Sequence, residues 1–323
     1  MSKVLITGAA GFIGSNLAKS LVRGKHRVVG LDSFEQNYPR ANKEFNLQPL
    51  KKSRNFSLVE ANLLDLALPE FLRREQFQFI FHQAATAGVR TSWGEEFNTA
   101  YVRNNITATQ RLLEACLDQN QRPMTSLEKF IYASSSSVYG DAIDRGDLHE
   151  ELPCRPLSPY GITKLAAEHL CSAYFTNLRV PTVSLRYFSV YGPGHRPDMA
   201  ANIFIRSLFR GEPIIAHKGN HARDFTYVGD VVNANLLARF APAGSIFNIG
   251  GGAVVTLEKM IRTLEALTGR KAKINWIDNP PGNVLLTRAD LTRARTILGY
   301  SPKVGIEQGL ASEVAYIKKL YGY

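Results

Sequence analysis

The sequence predicts an α/β fold, a doubly wound parallel sheet joined to a smaller, discontinuous α/β second domain. Three observations carry this. Short apolar runs alternate with segments of helical period through the first half, the pattern of βαβ units. A glycine-rich turn at residues 8–14 directly follows the first run and opens a helix. Beyond Tyr191 the texture changes at a Pro/Gly stretch, residues 192–197, that neither a helix nor a central strand accommodates.

Taken in order, residues 3–7, 27–32, 56–60, 79–82, 129–134 and 182–186 are short, apolar and bounded by turns, as buried parallel strands are. Residues 105–117 and 161–174 carry apolar side chains at helical spacing: Leu112, Leu113 and Cys116 in one, Leu165, Ala166, His169 and Leu170 in the other. After the Pro/Gly stretch, helices are expected at 202–210, 256–268, 290–298 and 306–319, with strands at 245–249 and 273–276. We therefore expect one domain from residues 1–188 and 226–251, and a second from 189–225 and 252–323. No internal repeat interrupts this pattern.

Composition narrows the function. With 323 residues, 45% apolar and 21% charged, the chain is neither a disordered tail nor a small stapled scaffold. A net charge of +11 favours phosphorylated small molecules as partners. The positive residues are scattered (Lys51 and Lys52, Arg73 and Arg74, Arg270 and Lys271), so nucleic acid is not expected as a partner. The 3 cysteines, Cys116, Cys154 and Cys171, form no C-x-x-C, which points away from a disulfide frame and from a metal site. No apolar stretch is long enough for a signal peptide or membrane span, so the expectation is a cytoplasmic protein with no membrane partner.

The first strand-to-helix turn carries Gly8, Gly11 and Gly14. Glycine lets the backbone approach a pyrophosphate, whose charge then rests on the helix N-terminus beside Phe12 and Ile13. Asp32 closes the second strand, placed to accept from a ribose 2′-hydroxyl and to repel a 2′-phosphate. Together they predict a Rossmann-type domain that takes NAD and not NADP.

Tyr160 and Lys164 stand one helical turn apart at the start of a helix preceded by Pro159. They follow a strand ending in Ser134, Ser135, Ser136 and Ser137. A lysine cation near a phenol favours phenolate, and such a tyrosine is a suitable base for a sugar hydroxyl. His82, at a strand end, is expected to be a buried, hydrogen-bonded core residue.

The chain resembles the extended short-chain dehydrogenase/reductase family over nearly its whole length. The matching pieces, in the family's order, are TGAAGFIG (7–14), HQAA (82–85), NNITAT (104–109), YASSSSVYG (132–140), SPYGITK (158–164) and RDFTYV (223–228). Within the family it is most similar to bacterial UDP-glucuronate 4-epimerases, through AGVRTSW (87–93) and FSVYGPGHRPDMA (188–200).

The resemblance implies C4 epimerisation of a UDP-sugar through a transient 4-keto sugar, with NAD as the cofactor. It makes Tyr160 the base, with Lys164 on the nicotinamide ribose and Ser135 on the substrate O4. Asn62 and Leu63 would meet the adenine, Ala84 and Ala85 the cofactor at a strand end. Val89, Arg90, Ser136, Ser137, Ser189 and Arg196 would face the sugar, and Arg223 the UDP phosphates. Helices 105–117 and 161–174 resemble those that form the family's homodimer interface.

Dehydratases of the family carry an acidic pair after the triad hydroxyl, where this chain has Ser136 and Ser137. Neutral hydroxyls cannot serve as that acid/base couple, but they donate well to a carboxylate. Arg196 adds a guanidinium fork; the alternative is an arginine pinning its own loop to Asp198 or Glu95. Ser189 and Thr91 are further donors, or else loop hydroxyls bonded to backbone. Where relatives have acidic or GDG turns, this chain reads PPGN (280–283) and HKG (217–219), which leaves the nucleoside open. UDP-glucose or UDP-N-acetylglucosamine 4-epimerase, UDP-glucuronate decarboxylase and a non-catalytic NAD-binding protein remain as alternatives.

Overall fold

The structure is a computed structural model and describes residues 1–142, 146–219, 221–278 and 284–323. The PPGN turn at 280–283 therefore lies outside the described residues. The chain begins β1 (Lys3–Thr7), α1 (Phe12–Arg23), β2 (Arg27–Asp32), α2 (Arg40–Leu47), β3 (Phe56–Glu60), α3 (Leu68–Glu75) and β4 (Phe79–His82). A π-helical stretch, Phe97–Thr107, then runs into α4 (Ala108–Glu114), followed by β5 (Lys129–Ser135), α5 (Pro159–Leu178) and β6 (Thr182–Tyr187). Next come β7 (Ser189–Tyr191), α6 (Ala200–Arg210), β8 (Ile214–His217), β9 (Ala222–Tyr227), α7 (Val228–Ala238) and β10 (Ile246–Ile249). The chain finishes with β11 (Val254–Thr256), α8 (Leu257–Thr268), β12 (Ile274–Ile277), α9 (Thr292–Thr296) and α10 (Ile306–Tyr321).

A 7-stranded sheet has the order β3-β2-β1-β4-β5-β6-β10, and each of its pairings is parallel. This is the doubly wound sheet the alternating pattern predicts. Period-2 alternation divides each strand between two cores. Val4, Ile6, Phe81 and Leu185 face α1 and α7, while Leu5, Ile80, Phe130 and Tyr132 face α3, α4 and α5. Leu291, Ala294, Leu298 and Tyr300 pack into the first of these cores. A third core, with Tyr191, Phe204, Ile205, Met260 and Leu310, sits among α6, α8 and α10 and beside two small sheets, β11-β9-β7 and β12-β8.

Helix α5 starts two residues before the apolar pattern does. Pro159 fits the first helical turn, where its missing N–H costs nothing, and the Ser158 hydroxyl accepts from Gly161 N–H at 3.1 Å. The helix expected at 105–117 differs more: Asn104 and Asn105 lie in the π-helical stretch and the α-helix starts at Ala108. Both asparagines are tied outward, Asn104 to Glu35 and Asn105 to Thr86 and Thr163, and local apolar period carries no trace of these long-range bonds. Periodicity also missed α2, α3, α7 and the short strands β7, β8, β9 and β11. Among the described residues no helix is long and apolar enough to cross a membrane.

Candidate active site

Strands β1, β2, β4, β5 and β6 end on a cavity of about 1120 Å³, the side of a parallel sheet where ligands bind. Every residue that the sequence singles out for cofactor or sugar lines this one cavity, from Gly8 and Asp32 at one end to Ser189 and Arg223 at the other. Chain segments more than 200 residues apart meet there.

The glycine turn is built by exclusion of side chains. Gly8 has a φ of +69°, and a Cβ on it would fall 2.8 Å from Ala84 N. A Cβ on Gly14 would fall 2.1 Å from Gly8 O, so the helix packs on the turn only with glycine there. Gly11 is the N-cap of α1 and supplies no side-chain cap, which leaves the first N–H groups of the helix for a ligand. This donor set fits an anionic diphosphate. Asp32 accepts from Ala10 N–H of the glycine turn at 2.9 Å and from Phe34 N–H of its own loop at 2.8 Å, and each oxygen keeps acceptor capacity for a ligand hydroxyl. The Asn62 side chain caps its own turn by accepting from Leu64 N–H at 2.9 Å.

At the middle of the cavity Ser135 ends β5, and its hydroxyl accepts from Ser137 N–H at 3.1 Å. Tyr160 opens α5 with its ring edge-on to Tyr101, centroids 6.2 Å apart. Burial pushes the Tyr160 phenol up, while a hydrogen bond from the Ser135 side chain and the charge of Arg196 pull it back. Lys164 is buried with its ammonium 4.5 Å from the Tyr132 ring centroid, and burial lowers its pKa to about 7.

Beneath this row lies a network the sequence reading missed. Glu168, one turn beyond Lys164 on the same face of α5, accepts from Ser134 Oγ at 2.6 Å and pairs bidentately with buried Arg186 of β6. Arg186 also donates to the Tyr139 hydroxyl at 2.6 Å. The repeat Tyr160, Lys164, Glu168 is the signal that could have found it.

His82 is a core residue, as expected. Thr109 donates to Asn105 O, so its oxygen accepts from His82 Nε2–H at 2.9 Å; Ala84 N–H donates to Thr7 Oγ1, which in turn donates to His82 Nδ1 at 2.7 Å. The chain fixes a neutral imidazole, and burial, aided by Lys164, lowers its pKa to about 3.

The arginines are both engaged. Arg196 donates to Asp198 through Nη2 and Nε and to Ala87 O through Nη1, the loop-pinning arrangement. Arg223 donates to Leu285 O at 2.7 Å and to Val284 O, and burial lowers its pKa to about 10. Thr91 bonds the Tyr101 hydroxyl at 2.7 Å, which donates to Gly88 O. Two further cavity residues escaped the sequence reading: Lys43, which donates to Glu35 O at 2.7 Å, and His195. His195 is placed by a contact far away in sequence, with Glu313 of α10, and Lys43 by the loop just before its helix.

Residues 4–250 match the NAD dependent epimerase/dehydratase family. A protein of Bacillus subtilis named as an uncharacterized UDP-glucose epimerase is 41% identical, over 99% of both chains. UDP-glucuronate 4-epimerase of Thermodesulfobacterium geofontis is 36% identical over 99% of this chain and 97% of its own. The crystal structure of UDP-glucuronic acid 4-epimerase from Bacillus cereus, in complex with UDP-glucuronic acid and NAD, superposes with a TM-score of 0.93 at 41% identity, covering 99% of this chain and 100% of that one. With its seven-stranded parallel sheet, its glycine turn and its Ser135, Tyr160 and Lys164 gathered at one cavity, the chain belongs to the NAD dependent epimerase/dehydratase family.

Proposed function

We propose that the protein inverts C4 of a UDP-hexuronic acid, interconverting UDP-glucuronate and UDP-galacturonate with NAD+ as a held cofactor. One observation carries the reading: the turn after Ser135 presents Ser136 and Ser137 to the cavity, where dehydration would need an acid and a base. The likeness to the Bacillus cereus enzyme supports the same sugar. NAD+, when bound, supplies the acceptor that takes the C4 hydride and gives it back. The residues of the chain move the proton and hold the sugar.

Gly8, Gly11, Phe12, Ile13 and Gly14 cradle the dinucleotide, Asp32 meets its ribose, Asn62 and Leu63 its adenine, and Ala84 and Ala85 its flank. Tyr160 takes the O4 proton. Ser135, whose side chain eases the phenol's pKa downward, shares that proton and fixes O4. A cationic Lys164 one turn along stabilises the phenolate. Arg223 brings charge to the nucleotide end, while Val89, Arg90 and Ser189 border the sugar.

Oxidising C4 of a glucuronate makes a β-keto acid, which loses CO2 when the breaking bond stands perpendicular to the ketone plane. Ser136 and Ser137 donate to the carboxylate and hold it out of that alignment. Arg196 joins them by exchanging partners: Asp198 is half exposed, 53% at the side chain, so the present pair is screened and contributes about 1 kcal/mol or less. A carboxylate inside the cavity competes from a drier place.

A second reading, UDP-glucose 4-epimerase, is favoured by the name of the Bacillus subtilis relative. Incubation with UDP-glucuronate, UDP-glucose and UDP-N-acetylglucosamine, with the products identified, decides between them. Turnover of UDP-glucuronate alone or by far the fastest is expected; turnover of UDP-glucose alone would replace the first reading by the second. We further propose a cytoplasmic homodimer joined through the α4 and α5 faces, and a division into a dinucleotide domain (1–188, 226–251) and a sugar domain (189–225, 252–323), from which the segment 291–300 returns to pack on the core of the first. Sedimentation measures the first, and limited proteolysis the second.

A further inference from the structure

His195 falls within the stretch 188–200, where neighbouring Arg196 faces the sugar, and has itself no part in the chemistry proposed so far, yet it lines the cavity beside the glycine turn. It is 5% exposed, and its ring lies against that of Phe12, the first residue of α1, with centroids 5.0 Å apart. Its Nδ1 is 2.7 Å from Oε1 of Glu313, a fully buried carboxylate of α10 whose Oε2 accepts from Gly192 N–H at 2.8 Å. The loop is also fastened by Asn16 of α1, which donates to Pro193 O, and by Asn202 of α6, which donates to His195 O. One atom is left over. His195 Nε2 is buried and has no hydrogen-bond partner among the described residues.

An unsatisfied buried nitrogen is uncommon and calls for a partner. The ring contact with Phe12 sets the imidazole beside the N-terminus of α1, whose first N–H groups have no side-chain cap. We propose that His195, oriented by Glu313, is a further dinucleotide-binding residue, donating from Nε2–H to the diphosphate seated at the N-terminus of α1. With Nδ1–H spent on Glu313, Nε2 meets an anion with a proton only as imidazolium, and the Glu313 carboxylate balances that charge. Helix α10 thereby helps to retain the cofactor. The inference rests on the NAD reading.

The test uses the full-length protein stripped of nucleotide and titrated by calorimetry with NAD, ADP, adenosine and UDP. His195→Leu is expected to weaken NAD and ADP by about tenfold or more, the size of a lost charge-assisted bond. Adenosine and UDP should stay within about twofold, because neither places a diphosphate on α1. His195→Gln keeps a donor near Nε2 and should restore most of the loss. Equal weakening of adenosine and ADP would make His195 a packing residue, selective weakening of UDP would move the contact to the substrate, and unchanged NAD affinity would leave Nε2 with buried water only; each overturns the proposal. Failure of the unmodified protein to bind NAD would instead sink the reading beneath it. Should the variants not fold, 15N spectra of the wild-type imidazole decide: adding NAD should move the Nε2 resonance of His195, and an unmoved resonance refutes the contact.

Discussion

Arg196 and Asp198, two residues apart in one loop that lines the cavity, form a two-point pair, with Nη2 to Oδ2 at 2.7 Å and Nε to Oδ1 at 3.1 Å. The arginine is nearly covered, at 14% exposure, and the aspartate is not, at 53%. That asymmetry makes the pair exchangeable, since the half-exposed partner gives up little on returning to water. Asp198→Ala should therefore lower the KM for UDP-glucuronate a few-fold relative to UDP-glucose. Arg196→Ala should lose epimerase rate and release CO2 and a UDP-4-keto-pentose, with the C4 hydride left behind as NADH. A folded Arg196→Ala protein with normal epimerisation and no pentose would return Arg196 to a loop-pinning role.

Tyr160→Phe removes the phenolic proton site and almost no volume. Turnover should fall by about a thousandfold or more, the upper range for loss of a positioned base, while calorimetric affinities for NAD and UDP-sugar hold. Turnover near that of the wild type would place the base elsewhere.

Lys164 links the site to pH. Its folded pKa of about 7 lies below its ordinary value of 10.5, so below about 7 the ammonium is charged in both states and its burial destabilises in full. Between about 7 and 10.5 the unfolded chain binds the extra proton, and stability rises with pH. Lys164→Met should exceed the cofactor-free wild type in urea stability by on the order of a few kcal/mol at neutral pH and below, with the gap closing toward pH 10. A gap that does not vary with pH would contradict a buried Lys164 whose pKa is lowered to about 7.

Glu168 and Arg186 are a buried pair behind Ser134, and removing one partner leaves the other charge stranded. Arg186→Met should cost about 3–5 kcal/mol in urea unfolding. The double variant with Glu168→Leu should recover most of that loss. A single variant as stable as the wild type would show that the pair is solvated.

The parts of this site that could be read in the sequence are those built by local geometry. Gly8, Gly11, Gly14 and Asp32 lie within one β-α-β unit, and Tyr160 and Lys164 within one helical turn just after the serine-ended strand, so spacing together with position carried them. Arg196 was legible as a guanidinium in a loop, and its pairing with Asp198, two residues away, was one of the stated alternatives. The Glu168 and Arg186 pair, the π-helical stretch anchored by Asn104 and Asn105, and the meeting of His195 with Glu313 depend on contacts between distant segments. No periodicity encodes these.

The central claim, inversion at C4 without chemistry at C5, is tested most directly by turning over UDP-glucuronate in D2O and locating deuterium in the product. The account predicts UDP-galacturonate that keeps its C4 hydrogen and carries no deuterium at C5, because Ser136 and Ser137 cannot remove that proton. Deuterium at C5, or a 4-keto-6-deoxy sugar formed from UDP-glucose, would contradict it and assign the site to dehydration.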